Sequence, residues 1–244
     1  MHIEADILIV GTGGLGVPAA LALARAQAAG AAKLRRLGLI DPDPVELSNL
    51  HRQIIFGNDD LGRHKVEAAA RHLLRMAPRL AIEKFAIALD ERNAREIIER
   101  FAVVIDGTDS PAAKFLINDT CLVTGRAFVY GGVLGMTGQA MTVIPGETAC
   151  LRCLFEEAPD AAEVASCREA GIIGPIAGAI GELQAREALR LVSGEAPEIA
   201  GRILTYDGAG APRVRVTTVN PRPGCACRAH ARRASGRAQA EGTR

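Results

Sequence analysis

The stretch Ala5-Asp6-Ile7-Leu8-Ile9-Val10-Gly11-Thr12-Gly13-Gly14-Leu15-Gly16 decides the fold of this 244-residue chain. Its first half is an apolar run, which predicts a buried strand. Its second half matches Gly-x-Gly-x-x-Gly and opens a run rich in alanine and leucine, which predicts a helix. Glycines placed between a strand and a helix let backbone N–H groups approach a phosphate. We therefore expect nucleotide contacts at Gly11, Gly13, Gly14 and Gly16.

Strands and helices continue to alternate after this stretch. The predicted strands are Ala5–Val10, Leu34–Ile40 and residues 81–86, 103–105, 127–133 and 139–144. The predicted helices are residues 15–29, 61–76, 90–100 and 110–124, followed later by Gly174–Ser193. This order favours an α/β fold with a doubly wound, Rossmann-like, mostly parallel sheet and helices on both faces. Residues 202–206 and 213–219 predict a late antiparallel extension of that sheet.

We expect a single domain over residues 1–227, with a long crossover connection over about residues 149–173. Residues 228–244 are rich in arginine and alanine and have no apolar period, so they predict a disordered basic tail. The net charge of +1 and an aromatic content of 3% disfavour a nucleic-acid partner. Residues 7–24 are uncharged, but their glycines and Pro18 fit a strand, a turn and a helix better than a membrane span. The acidic N-terminus lacks the basic region of a signal peptide, so we expect a cytoplasmic protein.

The loop after the second strand carries a group of hydrogen-bonding side chains. Asp41 ends that strand, where a carboxylate can accept hydrogen bonds from a ribose. The loop then offers four polar side chains beside the nucleotide, from Ser48, Asn49, Arg52 and Gln53. Arg52 has the planar fork that suits phosphate, and Lys65 stands in the first turn of the next helix, where the helix dipole disfavours a cation. A bound triphosphate would explain that lysine; the alternative is a solvated basic face beside a capped loop.

Two acidic residues follow the fourth strand, in the segment Asp106-Gly107-Thr108-Asp109. The carboxyl end of a parallel strand is where ligands bind in this architecture. We interpret Asp106 as a strand-ending turn residue. We expect Asp109 to lie at a Mg²⁺ ion carried by the phosphates, because carboxylates are ligands for that ion.

The six cysteines divide into three groups. Cys150 and Cys153 have the spacing of a zinc half-site, and Cys225 and Cys227 are the candidates for the other half. One residue separates the second pair, so His230 is an alternative fourth ligand, and two unconnected pairs of reduced thiols are a further possibility. Cys121 lies in an apolar helix and is expected in the core. Cys167 lies in the crossover connection, where a functional thiol and a surface thiol without a role are both open interpretations.

Taken together, these motifs resemble the MoeB/ThiF family, whose members activate ubiquitin-like sulfur carriers. The matching segments are Gly11-x-Gly13-Gly14-x-Gly16, Asp41, Ser48-Asn49-Leu50-His51-Arg52-Gln53, Gly62-Arg63-x-Lys65, Asp109, Asn118-Asp119, Cys150-x-x-Cys153, Cys167-x-x-x-Gly171-Ile172-Ile173-Gly174-Pro175, Gly178-x-x-Gly181 and Gln184-Ala185-x-Glu187-Ala188. The resemblance covers about residues 5–227. The Ser48–Gln53 segment is far more specific than the glycine pattern.

The resemblance implies ATP with Mg²⁺ as cofactors and adenylation of the C-terminal glycine carboxylate of a β-grasp, ubiquitin-like sulfur-carrier protein. It implies that Asp41 holds the ribose, that Asn49, Arg52 and Lys65 bind phosphates, and that Asp109 lies at the magnesium. It also implies a structural zinc ion, a homodimer, and sulfur transfer through a cysteine at the position of Cys167 in some members. No general base is needed, because an α-carboxyl group with a pKa of about 3.3–3.7 is already ionised at neutral pH.

This chain departs from the family pattern in three places. It begins almost at the first strand, so we expect no N-terminal arm with an arginine that reaches the phosphates. Ser110 stands where the family prefers asparagine. We also expect no C-terminal rhodanese domain, and therefore an external sulfur donor. The alternatives are adenylation of another peptide or small-molecule carboxylate, an NAD-dependent dehydrogenase, and a non-catalytic scaffold for a ubiquitin-like partner.

Overall fold

A computed structural model describes residues 5–158, 171–211 and 213–228 of the chain. The strands of this part are β1 (Ala5–Val10), β2 (Leu34–Ile40), β3 (Ile82–Phe85), β4 (Val103–Asp106), β5 (Ala127–Leu134), β6 (Thr137–Val143), β7 (Arg202–Asp207) and β8 (Arg213–Thr218). They form a single sheet in the order β3-β2-β1-β4-β5-β6-β7-β8. The pairs from β3 to β5 are parallel, and the pairs from β5 to β8 are antiparallel.

The helices of the described residues are α1 (Gly16–Ala28), α2 (Lys65–Met76), α3 (Ala94–Ile98), α4 (Pro111–Thr124), α5 (Leu151–Leu154) and α6 (Gly174–Ser193), with 3₁₀ turns at Leu47–Asn49, Asn58–Asp60 and Ala226–Arg228. The predicted α/β fold with a mostly parallel sheet and an antiparallel extension is confirmed. Among the described helices, none combines the length and the apolar character that crossing a bilayer requires. The predicted basic tail lies outside the described residues, apart from Arg228.

Two helix boundaries were predicted wrongly. α2 begins at Lys65 and not at residue 61, because a 3₁₀ turn and Gly62, whose φ is +78°, precede it. α3 is shorter than predicted and begins at Ala94. The Asp90 carboxylate accepts hydrogen bonds from the N–H groups of Arg92 and Asn93, at 2.9 and 3.1 Å, so it closes a turn ahead of the helix. Before α3, a turn stabilised by the Asp90 side chain thus takes the residues that were predicted to begin the helix.

The apolar run of β1 is explained by two cores, one on each face of the sheet. Ile7 and Ile9 pack in the core formed with α1, α2 and α6. Leu8 and Val10 pack in the core formed with α3 and α4. Successive side chains of a strand point to opposite faces, so a strand covered on both sides is apolar throughout.

The carboxyl ends of the central strands meet at one edge of the sheet. The Gly11 N–H donates to the Ile40 carbonyl at 2.8 Å, and the Gly107 N–H donates to the Val10 carbonyl at 2.8 Å. Gln184 of α6 fixes the helix to this edge, since its Nε2 donates to the Asp106 carbonyl at 2.7 Å and to the Val129 carbonyl at 3.0 Å. The residues just after β1, β2 and β4 are therefore neighbours in space.

Candidate nucleotide site and cysteine cluster

The glycine turn after β1 needs its glycines for two close backbone approaches. A Cβ on Gly16 would lie 1.8 Å from the Gly11 carbonyl oxygen, and a Cβ on Gly11 would lie 2.8 Å from the Gly107 oxygen. Gly11 also has a φ of +87°, which side chains rarely adopt. The turn brings the first residues of α1 against the ends of β1 and β4. Its helix N-terminus can accept an anion through backbone N–H groups.

Asp41 is buried directly beside this turn. Its Oδ2 accepts the Thr12 N–H at 2.7 Å and the Thr12 hydroxyl at 3.1 Å, while Oδ1 accepts the Asp43 N–H at 2.9 Å. Burial raises the pKa of the Asp41 carboxyl above its usual value of 3.8, although the Lys65 ammonium opposes that rise. The carboxylate is held rigidly, and its oxygens have further lone pairs that can accept ribose hydroxyls.

The loop after β2 places Arg52 on the glycine turn. The N–H groups of Arg52 and Gln53 donate to the Asn49 carbonyl at 3.1 and 3.0 Å, and Arg52 Nη1 donates to the Ser48 carbonyl at 3.0 Å. The Cγ and Cδ atoms of Arg52 lie 3.7 Å from where a Cβ on Gly14 would be. Arg52 therefore lies next to the glycine turn, as the sequence predicted.

The other polar residues of this loop differ in burial and in hydrogen-bond partners. Asn49 is buried, and its Oδ1 accepts the Glu46 N–H at 3.3 Å, which shapes the loop. Ser48 is exposed, and its hydroxyl donates to Glu46 at 3.1 Å. Gln53 is only 2% exposed, and its Oε1 has no hydrogen-bond partner among the described residues. Its Nε2 lies 3.7 Å from where a Cβ on Gly13 would be, so the amide adjoins the glycine turn.

Lys65 is the first residue of α2 and is buried, with 6% of its surface exposed. Its Nζ lies 2.7 Å from Asp43 Oδ2 and 3.9 Å from Asp41 Oδ1. The alternative interpretation of this lysine as part of a solvated basic face is therefore wrong. Sequence reasoning missed its partner Asp43, although the Asp-x-Asp spacing at the end of a strand was an available signal.

The two acidic residues after β4 have different surroundings. Asp106 is fully buried and accepts hydrogen bonds from the Thr108 N–H at 3.0 Å, the Thr108 hydroxyl at 2.7 Å and the Lys114 ammonium at 2.9 Å. It ends the strand in a turn, as expected. Asp109 is exposed at the same edge of the sheet, immediately before Ser110, whose hydroxyl accepts the Ala113 N–H at 3.4 Å and caps α4. Asp109 remains the predicted magnesium ligand.

Four cysteines come together at α5. The sulfur atoms of Cys150, Cys153, Cys225 and Cys227 all lie within 4.8 Å of one another. The Cys150–Cys225 and Cys153–Cys227 sulfur distances are both 3.6 Å. A tetrahedral zinc ion with Zn–S bonds of about 2.3 Å requires sulfur separations of about 3.8 Å. The donor set and its spacing therefore fit a zinc ion.

Burial affects the protonation of these thiols. Burial raises the pKa of Cys150 to about 12 and raises that of Cys227 well above its usual value. For Cys153 burial acts in the same direction, but hydrogen bonds, above all from the Arg222 N–H, bring the net pKa down. Ligation by a metal would replace the protons that most of these buried thiols otherwise keep.

Asn118 and Asp119 connect this cluster to α4. Asn118 Oδ1 accepts the Leu151 N–H at 2.9 Å, between the first two cysteines. Asp119 forms a two-pronged ion pair with Arg152, with N–O distances of 2.8 and 2.7 Å. These motif residues are thus structural and hold α5 in place. Cys121 is fully buried, as expected for a core residue; Cys167 and His230 lie outside the described residues.

Comparison with known proteins identifies the family. Residues 3–228 match the model of the ThiF family, which covers most of the chain.

The chain belongs to the ThiF family.

Named relatives of this ThiF-family chain are identical to it at 35–37% of the aligned residues. It is 35% identical over 227 residues to the sulfur carrier protein adenylyltransferase of Thermus thermophilus, covering 91% of this chain and 81% of the relative. It is 36% identical over 205 residues to the SAMP-activating enzyme E1 of Haloferax volcanii, covering 84% and 73%. It is 37% identical over 204 residues to the adenylyltransferase and sulfurtransferase MOCS3 of Xenopus laevis, covering 84% and 44%. The chain thus spans about half the length of the MOCS3 relatives that it matches.

Solved structures support the fold of this ThiF-family chain. The crystal structure of E. coli MccB with ATP superposes with a TM-score of 0.78 at 19% identity, covering 92% of this chain and 66% of MccB. The structure of PaaA gives a TM-score of 0.68 at 21% identity, covering 88% and 64%. At these identities the comparison establishes a shared fold.

Proposed function

We propose that this chain adenylates the C-terminal glycine carboxylate of a ubiquitin-like sulfur-carrier protein, with ATP and Mg²⁺. The observation that carries the proposal is the buried Lys65 ammonium, which lies with Arg52 and Asp41 around the glycine turn. A hydride-transfer site has no need for two cations beyond its ribose carboxylate, whereas a triphosphate does. The names of the Thermus and Haloferax relatives support a carrier protein as the acyl substrate.

The reaction forms one bond and breaks one bond. An oxygen of the carrier's carboxylate attacks the α-phosphorus of ATP, and the bond from that phosphorus to the bridging oxygen of pyrophosphate breaks. The products are an acyl-adenylate and pyrophosphate, and no proton has to move in this step. What the protein supplies is alignment and positive charge where negative charge develops.

Each predicted site residue has a role that fits its position. Asp41 accepts the ribose hydroxyls, and the N–H groups of the glycine turn bind phosphate oxygens. Arg52 and Lys65 stabilise the negative charge on the leaving pyrophosphate. Asp109, exposed at the same sheet edge, would hold the Mg²⁺ ion, which supplies further positive charge to the phosphates. Ser48, Asn49 and Gln53 complete the wall of the site.

Several further proposals follow from the family. The Cys150, Cys153, Cys225 and Cys227 cluster holds a structural zinc ion, with no part in the reaction. The thiocarboxylate is formed afterwards with sulfur from an external donor, and Cys167 takes part in that later transfer. The protein acts as a homodimer.

Exchange of labelled pyrophosphate into ATP, run with and without candidate carriers, tests the proposal. We expect exchange that depends on a carrier with an intact C-terminal glycine and that vanishes when that glycine is deleted. Calorimetric titration with ATP and with NAD is the companion measurement, and ATP should bind more tightly. Tighter binding of NAD, or no exchange with any ubiquitin-like carrier, would overturn the proposed function.

A further inference from the structure

Asp43 contacts both of the charged residues that define the nucleotide site. Its Oδ2 lies 2.7 Å from the Lys65 ammonium, and its carbonyl oxygen accepts the Lys65 N–H at 2.9 Å. Its own N–H donates to Asp41 Oδ1 at 2.9 Å. One residue thus fixes the end of β2, the start of α2 and the lysine side chain relative to one another.

The two side chains of the Asp43–Lys65 ion pair differ in exposure to solvent. The Lys65 side chain is 8% exposed, whereas the Asp43 side chain is 61% exposed. Asp41 Oδ1, at 3.9 Å, is too far from the ammonium for a hydrogen bond. The pair to Asp43 therefore sets the direction of the ammonium. Among the described residues no other group accepts a hydrogen bond from it, so its remaining N–H groups are available to a ligand that approaches from the exposed side of the pair.

A lysine depends on such a partner more than an arginine does. Its ammonium is a point charge on a stem of four carbons, so the stem does not fix where the charge points. Loss of the Asp43 carboxylate would leave a buried cation without its hydrogen-bonded partner and would allow other rotamers.

We propose that Asp43 is a positioning residue that directs the Lys65 ammonium toward the phosphates of the nucleotide. The proposal rests on the proposed function, because it takes ATP as the ligand. Asp43 acts on the phosphates in two opposing ways. Through Lys65 it increases their attraction to the site, and through its own negative charge it repels them.

These opposing effects predict that the consequence of Asp43→Ala changes sign with the residue at position 65. With Lys65 present, Asp43→Ala should weaken the binding of ATP with Mg²⁺ about three- to tenfold, because the ammonium is no longer directed. In a Lys65→Met background the same substitution should strengthen ATP binding, because only the repulsion is removed. A residue that merely held the loop in shape would weaken binding in both backgrounds.

The test is a double-mutant cycle in which calorimetry measures the affinity for ATP with Mg²⁺ in the wild type, the two single variants and the double variant. Asp43→Asn, which keeps an acceptor oxygen and loses the charge, should retain more affinity than Asp43→Ala. Glu67→Gln is the matched control, since Glu67 pairs with Lys84 at the same 2.7 Å but with both side chains well exposed. ATP affinity in that control should stay within about twofold of the wild type.

Wild-type affinity in Asp43→Ala, or weakening that persists in the Lys65→Met background, would overturn the role of Asp43. If Asp43→Ala does not fold, Asp43→Asn carries the same cycle. A wild-type protein that binds ATP and shows the sign change, yet exchanges no pyrophosphate with any carrier, would overturn the proposed function and leave the role of Asp43 standing. A wild-type protein that binds no ATP would overturn both.

Discussion

At the scale of a single residue, Lys65 is a buried cation next to the candidate nucleotide site. The ammonium belongs to the first residue of α2, where the helix dipole disfavours a cation, and it is almost completely buried. The Asp43 carboxylate forms an ion pair with this ammonium. Asp41, which lies between the ammonium and the glycine turn, is 3.9 Å from the Lys65 Nζ atom. This position is consistent with the proposed role of Lys65 as a phosphate ligand.

Lys65→Ala is expected to reduce the rate of pyrophosphate exchange about 10²- to 10³-fold, because loss of one contact to developing charge raises a barrier by about 2.7–4 kcal/mol. Thermal melting should stay close to the wild type, since alanine is compatible with the first turn of a helix. Lys84→Ala serves as the control, as it removes an exposed lysine outside the site. Exchange within a few-fold of the wild type in Lys65→Ala would show that the charge of Lys65 is not used.

Cys167→Ala is expected to leave pyrophosphate exchange nearly unchanged, because the attacking group in the proposed reaction is the carrier's own carboxylate. Any defect should appear in the later formation of the thiocarboxylate, which mass spectrometry of the carrier measures. Lost exchange in Cys167→Ala would contradict this separation of the two steps.

At the scale of secondary structure elements, one buried carboxylate joins the loop after β2 to α2. Asp60, 1% exposed, ends the 3₁₀ turn Asn58–Asp60 and accepts the Gly57 N–H at 3.0 Å. It also pairs with Arg71 and lies 2.8 Å from His72 Nε2, both on α2. The helix that carries Lys65 is thereby held against the loop that carries Arg52. Hydrogen bonds and the charge of His72 and Arg71 outweigh burial and lower the pKa of Asp60 below its usual 3.8.

Asp60→Asn is expected to destabilise the fold by about 1–3 kcal/mol at pH 7, because the hydrogen-bond donors around residue 60 lose a charged acceptor. A lowered pKa means that the stabilisation by Asp60 is complete above pH 3.8 and is lost as the pH falls through the folded-state value. The difference between wild type and variant in urea unfolding should therefore be large at pH 7 and shrink below pH 3.8. Asp59→Asn, at the exposed neighbouring position, is the control. A difference that does not change with pH would show that the charge of Asp60 contributes nothing.

At the scale of the whole molecule, the cysteine cluster joins segments that are far apart in the sequence. Cys150 immediately precedes α5 and Cys153 lies within it, after β6, whereas Cys225 and Cys227 follow β8. The Gly146 N–H also donates to the Cys227 carbonyl at 3.0 Å, so the backbones of the two segments are paired. Binding energy of a metal at this cluster would become folding energy for the antiparallel part of the molecule.

We predict one zinc ion per chain, lost on Cys150→Ser and removed by a chelator with a lower melting temperature. Elemental analysis of freshly purified protein measures the zinc content, and differential scanning calorimetry measures the melting temperature. Zinc content should fall in Cys227→Ser and stay unchanged in His230→Ala, because the sulfur of Cys227 lies in the cluster. Absence of zinc in protein that was never exposed to a chelator would contradict the prediction.

The sequence determined the class of fold and much of the composition of the nucleotide site. The glycine pattern depends on local backbone geometry, and the predicted strands and helices depend on the spacing of apolar residues. Both signals are local, so they can be recognised in the sequence. Position after a strand likewise placed Asp41, Arg52 and Asp109 at the same edge of the sheet, since parallel strands end together. The spacing of Cys150 and Cys153 predicted one half of the cysteine cluster, and Cys225 and Cys227 were the predicted candidates for the other half.

Only the tertiary structure decided which side chains become partners. The Lys65–Asp43 pair spans 22 residues, and the cluster joins Cys150 to Cys225 across 75, so the sequence offered these groups without showing that they meet. The burial of Lys65 and the exposure of Ser48 depend on what packs against each segment. A sequence fixes which groups are available, whereas the distances and the burial that set their charge interactions arise only when distant segments meet.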